Sequence, residues 1–296
     1  MRLAVLGSGS SGNAVVVESA GKRLLVDAGF SRRQIELRLR KVQEAAGDVT
    51  PAEDPRYVQP DVRFDAMVLT HEHGDHVAGV EVLARRTGVH VWATRGTLEG
   101  TRLSDRARQQ SHFLRSGEPR EIAGFQVEPF SVPHDAREPV GFIIEDAAGR
   151  RVGLVADLGA RTRLAWSKLR DLDTLILETN HDLQMLRNGP YPWSLKQRVA
   201  SRHGHLSNAD ATQGILEALQ DTGDRLQTVV CYHLSRTNND PELAAASVGE
   251  MLERESSTAR VIITHQDQPT GWLEISESAT APRATKVEAN QLSLFG

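Results

Sequence analysis

Short apolar runs alternate with polar connections along most of the chain. Runs of β-branched and apolar residues predict strands at 2–6, 14–19, 23–27, 64–69, 89–92, 125–132, 141–145, 151–157, 174–178, 228–232, 260–264 and 271–275. Apolar residues at helical spacing predict one helix that begins at Ser31, where Gln34 is placed for a capping box, and others over 77–86, 193–200, 208–220 and 241–254. This mixture of strands and helices predicts an α/β fold.

The loop after the first strand, over 7–13, contains the pattern Gly-x-Gly-x-x-Gly. In a dinucleotide-binding fold a helix follows that pattern, and the helix N-terminus holds the pyrophosphate. Here a β-branched run follows instead, and the turn at Ala20-Gly21 leads to a third strand, so the sequence predicts a β meander. The loop either presents backbone N–H groups to a phosphate or is a tight connection that only small residues allow.

Two segments lack any apolar period. Residues 47–60 carry several acids and three prolines, which is typical of a solvent-exposed excursion. From Ser276 onwards the composition changes to Ser, Thr, Ala, Pro and charged residues, and such a segment buries too little surface to order itself. We therefore predict one folded domain over 1–275, a flexible linker over 276–290 and a separate terminal peptide over 291–296.

Composition narrows the class of protein. The chain has 296 residues, of which 39% are hydrophobic, so it is long enough to bury a full core. Its formal net charge of −4 gives no overall basic character, and any nucleic-acid contact would come from a local patch. No apolar run approaches the roughly 20 residues that span a bilayer, so we expect a soluble, cytoplasmic protein without membrane contact. Cys231 is the single cysteine, which excludes a disulfide framework and a thiolate zinc site.

The densest group of metal-binding residue types is Thr-His-Glu-His-Gly-Asp-His at 70–76, directly after a predicted strand. Imidazole and carboxylate groups are ligands that Zn²⁺, Mn²⁺ and Fe²⁺ accept. The adjacent side chains of Asp75 and His76 cannot easily converge with the others on one ion. The spacing therefore predicts two ions, one bound by His71 and His73 and the other by Asp75 and His76.

Four other predicted strands also end near residues that bind metals or carry protons. The predicted ligands are His71, His73 and His134 for the first ion, Asp75, His76 and His233 for the second ion, and Asp157 as the bridge. Two ions about 3.5–4 Å apart can share a carboxylate and a water, lower the pKa of that water toward neutrality, and stabilise charge on attacking and leaving oxygens. The pattern therefore predicts a hydrolase.

His205 competes with His233 for the last ligand position. We favour His233 because it directly follows a buried strand, whereas His205 lies in a loop between two helices. His205 is then predicted to contact a phosphate oxygen or to protonate the leaving oxygen, and the alternative is a loop residue without a chemical role. Together with Asp75 it is a predicted catalytic residue. Other predicted substrate or phosphate contacts are Ser8, Ser10, Ser11, Asn13, His181 and Lys196, and Asn180, His181 and Asp182 are candidates for orienting the ligand imidazoles.

Several motifs together resemble the YycJ (WalJ) branch of the metallo-β-lactamase superfamily. They are Gly-Ser-Gly-Ser-Ser-Gly-Asn at 7–13, the histidine motif at 70–76, Pro-His-Asp at 133–135, Thr-Asn-His-Asp at 179–182, Gly-His-Leu-Ser-Asn at 204–208 and His-Leu-Ser at 233–235. The resemblance implies a four-layer αββα sandwich and 5′ to 3′ DNA exonuclease activity with two Mn²⁺ or Zn²⁺ ions. It also implies that His233 is the final metal ligand and that His205 contacts phosphate.

The terminal peptide resembles the short bacterial peptide that docks into the hydrophobic pocket of the replicative sliding clamp. Its predicted contacts are Gln291, Leu292, Leu294 and Phe295. Leu294 and Phe295 are large apolar anchors with no core of their own, and Gln291 can hydrogen-bond at the pocket rim. A flexible linker before the peptide would raise the local concentration of the enzyme at clamp-loaded DNA. The alternative is that the peptide packs on its own domain.

We therefore predict a metal-dependent exonuclease that acts on single-stranded DNA or on DNA 5′ ends during replication or repair. One alternative is a dinuclear hydrolase of a small ester, thioester or cyclic phosphodiester, because the same ions serve those reactions. Another is a non-enzymatic adaptor bound to the clamp. The complete set of predicted metal ligands argues against the adaptor.

Overall fold

A computed structural model describes residues 1–50, 62–222 and 225–276. Its strands are β1 (Arg2–Gly7), β2 (Ala14–Ser19), β3 (Lys22–Val26), β4 (Ala66–Val68), β5 (His90–Thr94), β6 (Ser111–Leu114), β7 (Arg120–Ile122), β8 (Phe125–Ser131), β9 (Val140–Glu145), β10 (Arg151–Val155), β11 (Thr174–Glu178), β12 (Thr228–Tyr232), β13 (Arg260–Ile263) and β14 (Leu273–Glu274). Its helices are α1 (Arg32–Ala45), α2 (Gly74–Val77), α3 (Val80–Thr87), α4 (Arg95–Gly100), α5 (Asp105–Arg108), α6 (Arg163–Lys168), α7 (Leu183–Asn188), α8 (Trp193–Val199), α9 (Asn208–Thr222) and α10 (Pro241–Arg254).

Within these residues the strands form two seven-stranded sheets. The first sheet has the order β14-β1-β2-β3-β4-β5-β6, and the second has the order β13-β12-β11-β10-β9-β8-β7. Strands β1 to β3 are antiparallel, whereas β3 to β6 and β10 to β13 are parallel. Because an antiparallel strand follows the glycine loop, the predicted meander is confirmed and the dinucleotide-binding alternative is excluded.

Successive side chains of the central strands pack into two different hydrophobic cores, because neighbouring side chains in a strand point to opposite faces of the sheet. In β1, Leu3 lies in the core between the sheets, whereas Ala4 lies in the core under the helices of the first sheet. In β11, Ile176 lies between the sheets and Leu177 packs toward α6, α9 and α10. Burial of each such Leu or Ile contributes about 1.5–3 kcal/mol. The predicted four-layer αββα sandwich is confirmed.

Local sequence signals explain the helix ends. The Ser31 hydroxyl caps α1 by accepting a hydrogen bond from the backbone N–H of Gln34, as predicted. Asp240 caps α10, which has the predicted bounds and begins with a proline at a position that needs no N–H donor. The sequence pattern did not predict β6, β7, α4, α5, α6 and α7. These elements have three to six residues, too few to show a period.

The parallel strands bring distant parts of the chain to one edge of the sandwich. Strands β10, β11 and β12 run in the same direction, so Asp157, Glu178 and His233 emerge at neighbouring strand ends. In open α/β sheets the carboxyl ends of parallel strands are where ligands bind. Strands β3 and β4 contribute in the same way from the first sheet, and they lead to Asp27 and His71.

Candidate metal centre

The first group of candidate ligands lies where β4 and β8 end. β4 leads to His71, and α2 begins directly after His73. His134 follows β8, and its Nδ1 atom is 3.1 Å from the carbonyl oxygen of Gly204. This contact leaves the Nε2 atom of His134 facing His73 Nδ1, at 3.2 Å. The three imidazole rings have centroids 4.6–5.0 Å apart.

The second group consists of Asp75 and His76 from α2 and of His233, which follows β12. The Oδ2 atom of Asp75 is 3.5 Å from His76 Nε2 and 3.3 Å from His233 Nε2. Asp157 lies between the two groups, with its Oδ2 atom 3.4 Å from His71 Nε2 and 3.7 Å from His76 Nε2. The structure therefore brings together all seven predicted ligands, with Asp157 between the two groups.

The chemistry of these side chains fits divalent cations. The ligand atoms lie within 4.8 Å of one another in each of three overlapping groups. These are His71, His73, His134 and Asp157, then Asp75, His76 and His233, and finally Asp157, Glu178, His205 and His233. Among the described residues, His71 Nε2 and Asp157 Oδ1 are buried and form no hydrogen bond, although Asp157 Oδ1 lies 3.1 Å from His233 Nδ1. Buried polar atoms without a partner are costly unless a ligand binds them. The fold and its His/Asp cluster are therefore suited to divalent metal ions.

Asp27 contacts His76 at the ring nitrogen Nδ1, and the sequence did not predict a role for this acid. Its Oδ2 atom is 2.8 Å from His76 Nδ1, and its two carboxylate oxygens accept hydrogen bonds from the backbone N–H and the hydroxyl of Thr70. A carboxylate at the second nitrogen of a metal-binding imidazole fixes the ring orientation and tautomer. The signal was present in the sequence, because Asp27 ends a predicted strand just as Asp157 does.

Replacing Asp27 with asparagine is expected to weaken metal binding by about 10- to 100-fold, the usual effect of losing such a support. Asparagine tolerates the left-handed backbone at this position, where φ is 59°, so the fold should persist. Competition with a chelator measures the affinity. Asp65→Asn is the matched control, because Asp65 forms a surface ion pair with Lys22. Equal metal affinity in the Asp27 variant and the wild-type protein would contradict the assignment.

Glu178, the last residue of β11, holds two histidines at once and was also not assigned from the sequence. Its Oε1 atom is 2.7 Å from His205 Nδ1 and 2.9 Å from His233 Nδ1. Its Oε2 atom accepts hydrogen bonds from the backbone N–H groups of Leu158 and Leu206. Because Glu178 occupies Nδ1 of both rings, each ring presents Nε2 to other partners.

The two histidines nevertheless occupy different places. The side chain of His233 is 3% exposed and its Nε2 atom faces Asp75, whereas the side chain of His205 is 22% exposed. The ring of His205 lies 5.2 Å from that of His233 and 5.3 Å from that of His134. His233 is therefore the more enclosed of the two rings, and His205 lies at the rim of the cluster.

Burial and neighbouring charges shift the pKa values of Glu178 and His205 in opposite directions. Burial would raise the pKa of Glu178, but attraction to His205 and hydrogen bonds from His205 and His233 lower it to about 2. Burial would lower the pKa of His205, yet the Glu178 carboxylate raises that pKa above its ordinary value. Burial and the neighbouring imidazoles hold the pKa of His71 well below its ordinary value. At His233 burial would lower the pKa, but Asp157, Asp75 and Glu178 raise it to about 10.

Three of the predicted substrate contacts, Ser8, Asn13 and His181, are buried. The Ser8 hydroxyl accepts a hydrogen bond of 2.7 Å from the backbone N–H of His233 and donates one of 3.1 Å to the Asn13 side-chain oxygen. The Asn13 Nδ2 atom is 3.1 Å from His76 Nε2. Ser8, Asn13 and His181 are all buried, so we expect them to support the ligands and not to touch a substrate.

The other predicted substrate contacts are more accessible. Ser10 and Ser11 are exposed on the glycine loop, and the backbone N–H of Ser11 donates to the Gln266 side chain. Lys196 lies on α8, half-buried, and its Nζ atom donates to the carbonyl oxygen of Arg187. These three residues remain predicted substrate contacts.

Some predictions fall outside the described residues. They are the candidate clamp contacts Gln291, Leu292, Leu294 and Phe295, the linker beyond Ser276, and most of the excursion at 47–60. Across the residues that the structure does describe, no helix combines the length and the apolar character needed to cross a membrane.

Comparison with known proteins assigns the chain to a family. A model described as a beta-lactamase superfamily domain matches residues 22–233. The chain is 34% identical over 257 residues to exodeoxyribonuclease WalJ of Streptococcus pneumoniae serotype 2, covering 85% of this chain and 88% of that protein. It is 32% identical over 255 residues to exodeoxyribonuclease YycJ of Bacillus anthracis, covering 86% and 89%.

Solved structures of lower sequence identity share the fold. The crystal structure of the short form of human tRNase Z has a TM-score of 0.58 at 18% identity and covers 93% of this chain and 100% of that one. The Zn²⁺-bound PqqB structure from Methylobacterium extorquens has a TM-score of 0.61 at 20% identity, covering 91% and 99%. The chain belongs to the beta-lactamase superfamily and, within it, to the WalJ/YycJ family.

Proposed function

We propose that this protein is a metal-dependent exodeoxyribonuclease that degrades DNA from the 5′ end. The observation that carries the proposal is the joint placement of seven imidazole and carboxylate ligands with a further histidine, His205, at their rim. Similarity over most of the chain to proteins named as exodeoxyribonucleases gives the substrate class. Two Mn²⁺ or Zn²⁺ ions are the proposed cofactors, and Fe²⁺ suits the same ligands.

Each group of side chains has a distinct task in this proposal. His71, His73 and His134 would hold one cation and Asp75, His76 and His233 the other, and the Asp157 carboxylate lies within reach of both groups. Bound cations would supply the positive charge that activates water and balances the charge developing on a phosphate. Asp27 and Glu178 keep the imidazoles in the orientation and tautomer that binding requires.

His205 is proposed to protonate the leaving oxygen. Its Nδ1 atom is held by Glu178, so Nε2 is the nitrogen that can carry a proton toward a substrate. The Glu178 carboxylate raises the pKa of His205, which favours the protonated ring that an acid catalyst needs. The P–O bond to the leaving nucleoside breaks as water forms the new P–O bond, and the proton from His205 passes to the leaving oxygen. The attacking water then returns a proton to the enzyme.

An end-blocking assay tests the proposed activity. Single-stranded DNA, labelled internally, carries a bulky block at either the 5′ or the 3′ end, and matched RNA and a chromogenic phosphodiester are assayed beside it with Mn²⁺ or Zn²⁺. We expect stepwise loss of DNA that the 5′ block prevents and the 3′ block does not. Turnover of the chromogenic compound alone would instead support a hydrolase of small esters, and absence of all metal-dependent turnover would support the adaptor.

We further propose that residues 291–296 tether the enzyme to the bacterial sliding clamp. The support is the sequence: two large apolar residues, Leu294 and Phe295, follow Gln291 at the end of a polar segment that carries little else to bury. Deleting 291–296 is expected to abolish co-elution with the clamp while metal content and activity on short DNA stay unchanged, because the deletion leaves 1–275 intact. Unchanged co-elution would end the proposal. Ser293→Ala is the control, because it keeps the apolar anchors.

A further inference from the structure

A pocket of about 250 Å³ opens beside the metal centre. It is lined by residues from five separate segments, which include Ser10, Tyr191, Arg198, His205 and Asn238. His205 belongs both to this pocket and to the rim of the cluster. The pocket is slightly smaller than the usual ligand site of about 300–1,000 Å³, so it suits one small molecule or one unit of a polymer.

One residue that lines the pocket carries a polar atom without a partner among the described residues. Asn238 is 1% exposed, and its side-chain oxygen is buried and accepts no hydrogen bond from them. Its backbone is firmly held, because its N–H donates to Ser235 and its carbonyl oxygen accepts from Asp182. A buried amide oxygen in a fixed position is costly unless a ligand donates to it. The N–H groups of a nucleobase and the hydroxyl of a sugar are such donors.

The pocket lining also includes an aromatic ring and a cation. Tyr191 is half-buried in the connection between α7 and α8, where its ring can pack against a planar base. Arg198 is exposed, and its guanidinium is paired with Asp135, whose other carboxylate oxygen lies 3.3 Å from His134 Nε2. The pocket therefore joins a flat, partly apolar surface to the edge of the metal centre.

We infer that this pocket binds the nucleoside that leaves during cleavage, which is the 5′-terminal nucleoside of the strand. The inference rests on the proposed function and deepens it. His205 lies at the rim of the cluster and also lines the pocket, so a group that occupies the pocket lies directly beside the cluster. If the leaving oxygen is the 3′ oxygen of the terminal nucleoside, its sugar and base extend toward Asn238 and Tyr191. The remaining strand then lies across the cluster, and each cycle releases one nucleotide.

Binding of mononucleotides to the Mn²⁺-loaded protein tests this arrangement by calorimetry, without any need for turnover. Thymidine 3′-monophosphate carries its phosphate on the oxygen that His205 faces, so we expect it to bind at least 10-fold more tightly than inorganic phosphate. Thymidine 5′-monophosphate is expected to bind more weakly than its 3′ isomer. In the Asn238→Ala and Tyr191→Ala variants, thymidine 3′-monophosphate should bind less than 3-fold more tightly than inorganic phosphate.

Phe113→Ala is the matched control for Tyr191→Ala, because Phe113 is an exposed aromatic residue on β6 in the other sheet. The Phe113→Ala protein should still bind thymidine 3′-monophosphate at least 10-fold more tightly than inorganic phosphate. Tyr191 lies outside the buried core, so its variant tests the inference even where loss of Asn238 impairs folding. Tighter binding of the 5′ isomer, or an advantage that survives in the Tyr191 variant, would overturn the inference.

The calorimetry and the end-blocking assay together separate this inference from the proposed function. If the protein binds thymidine 3′-monophosphate as expected but degrades no DNA, the exonuclease proposal fails and the nucleoside pocket stands. If DNA is degraded from the 5′ end but the 3′ nucleotide binds no better than phosphate, the pocket inference fails alone.

Discussion

Replacing Asp157 with asparagine is expected to lower kcat on single-stranded DNA by on the order of 10³-fold, because loss of a metal-held charge costs several kcal/mol of transition-state stabilisation. The asparagine would keep the shape of the side chain but lose the charge that lies 3.4 Å from His71 and 3.7 Å from His76. Steady-state kinetics measures the rate, and elemental analysis measures the metal content, which should fall from two ions per chain to one or none.

The control for this variant is Asp105→Ala on α5. Asp105 is an exposed acid of the first sheet's helical layer, so its loss should leave the rate and the metal content unchanged. An Asp157→Asn protein that binds two ions and degrades DNA at the wild-type rate would contradict the bridging role. Circular dichroism confirms folding of both variants, since loss of the buried charge also changes the packing of the cluster.

The strand ends explain why much of this centre could be predicted from the sequence. A buried strand has a recognisable apolar run, and parallel strands present their carboxyl ends at one edge. His134, Asp157 and His233 were therefore predicted as neighbours although up to 99 residues separate them, and the structure places them together. The same rule points to Asp27 and Glu178. This rule does not distinguish an acid that binds a cation from an acid that hydrogen-bonds to a ligand imidazole, because the difference depends on which side chains surround the strand end.

Other parts of the site could not be predicted because they depend on contacts between remote segments. The Ser8 hydroxyl accepts from the backbone of His233, which is 225 residues away. The sequence shows only that Ser8 belongs to a small-residue loop, and such loops often bind phosphate. The structure shows how closely this loop packs on its neighbours: the backbone N–H of Asn13 donates to the carbonyl oxygen of Asp75, and a side chain at Gly29, which follows β3, would overlap that same oxygen. The loop thus braces α2 and its ligands.

Replacing His205 with alanine is expected to lower kcat on DNA by about 10²- to 10⁴-fold, the usual contribution of a positioned acid or base. The metal content should stay at the wild-type value, because His233 and not His205 is the proposed ligand. The decisive measurement is the dependence on the leaving group. In DNA cleavage the leaving group is a sugar oxygen, and this alkoxide needs a proton. Nitrophenolate is a stable leaving group without a proton. Hydrolysis of a nitrophenyl phosphodiester should therefore fall by less than about 10-fold.

Glu178→Gln separates the proton-donating role from a purely structural one. Glutamine can still contact Nδ1 of His205 and His233, but it removes the charge that stabilises the protonated ring of His205. We expect the same selective loss on DNA, of about 10-fold or more, with the nitrophenyl substrate less affected. Equal losses on both substrates in the His205 variant, with metal retained, would show that His205 positions the substrate and donates no proton. A loss of one metal ion from the His205 variant would instead make it the ligand in place of His233.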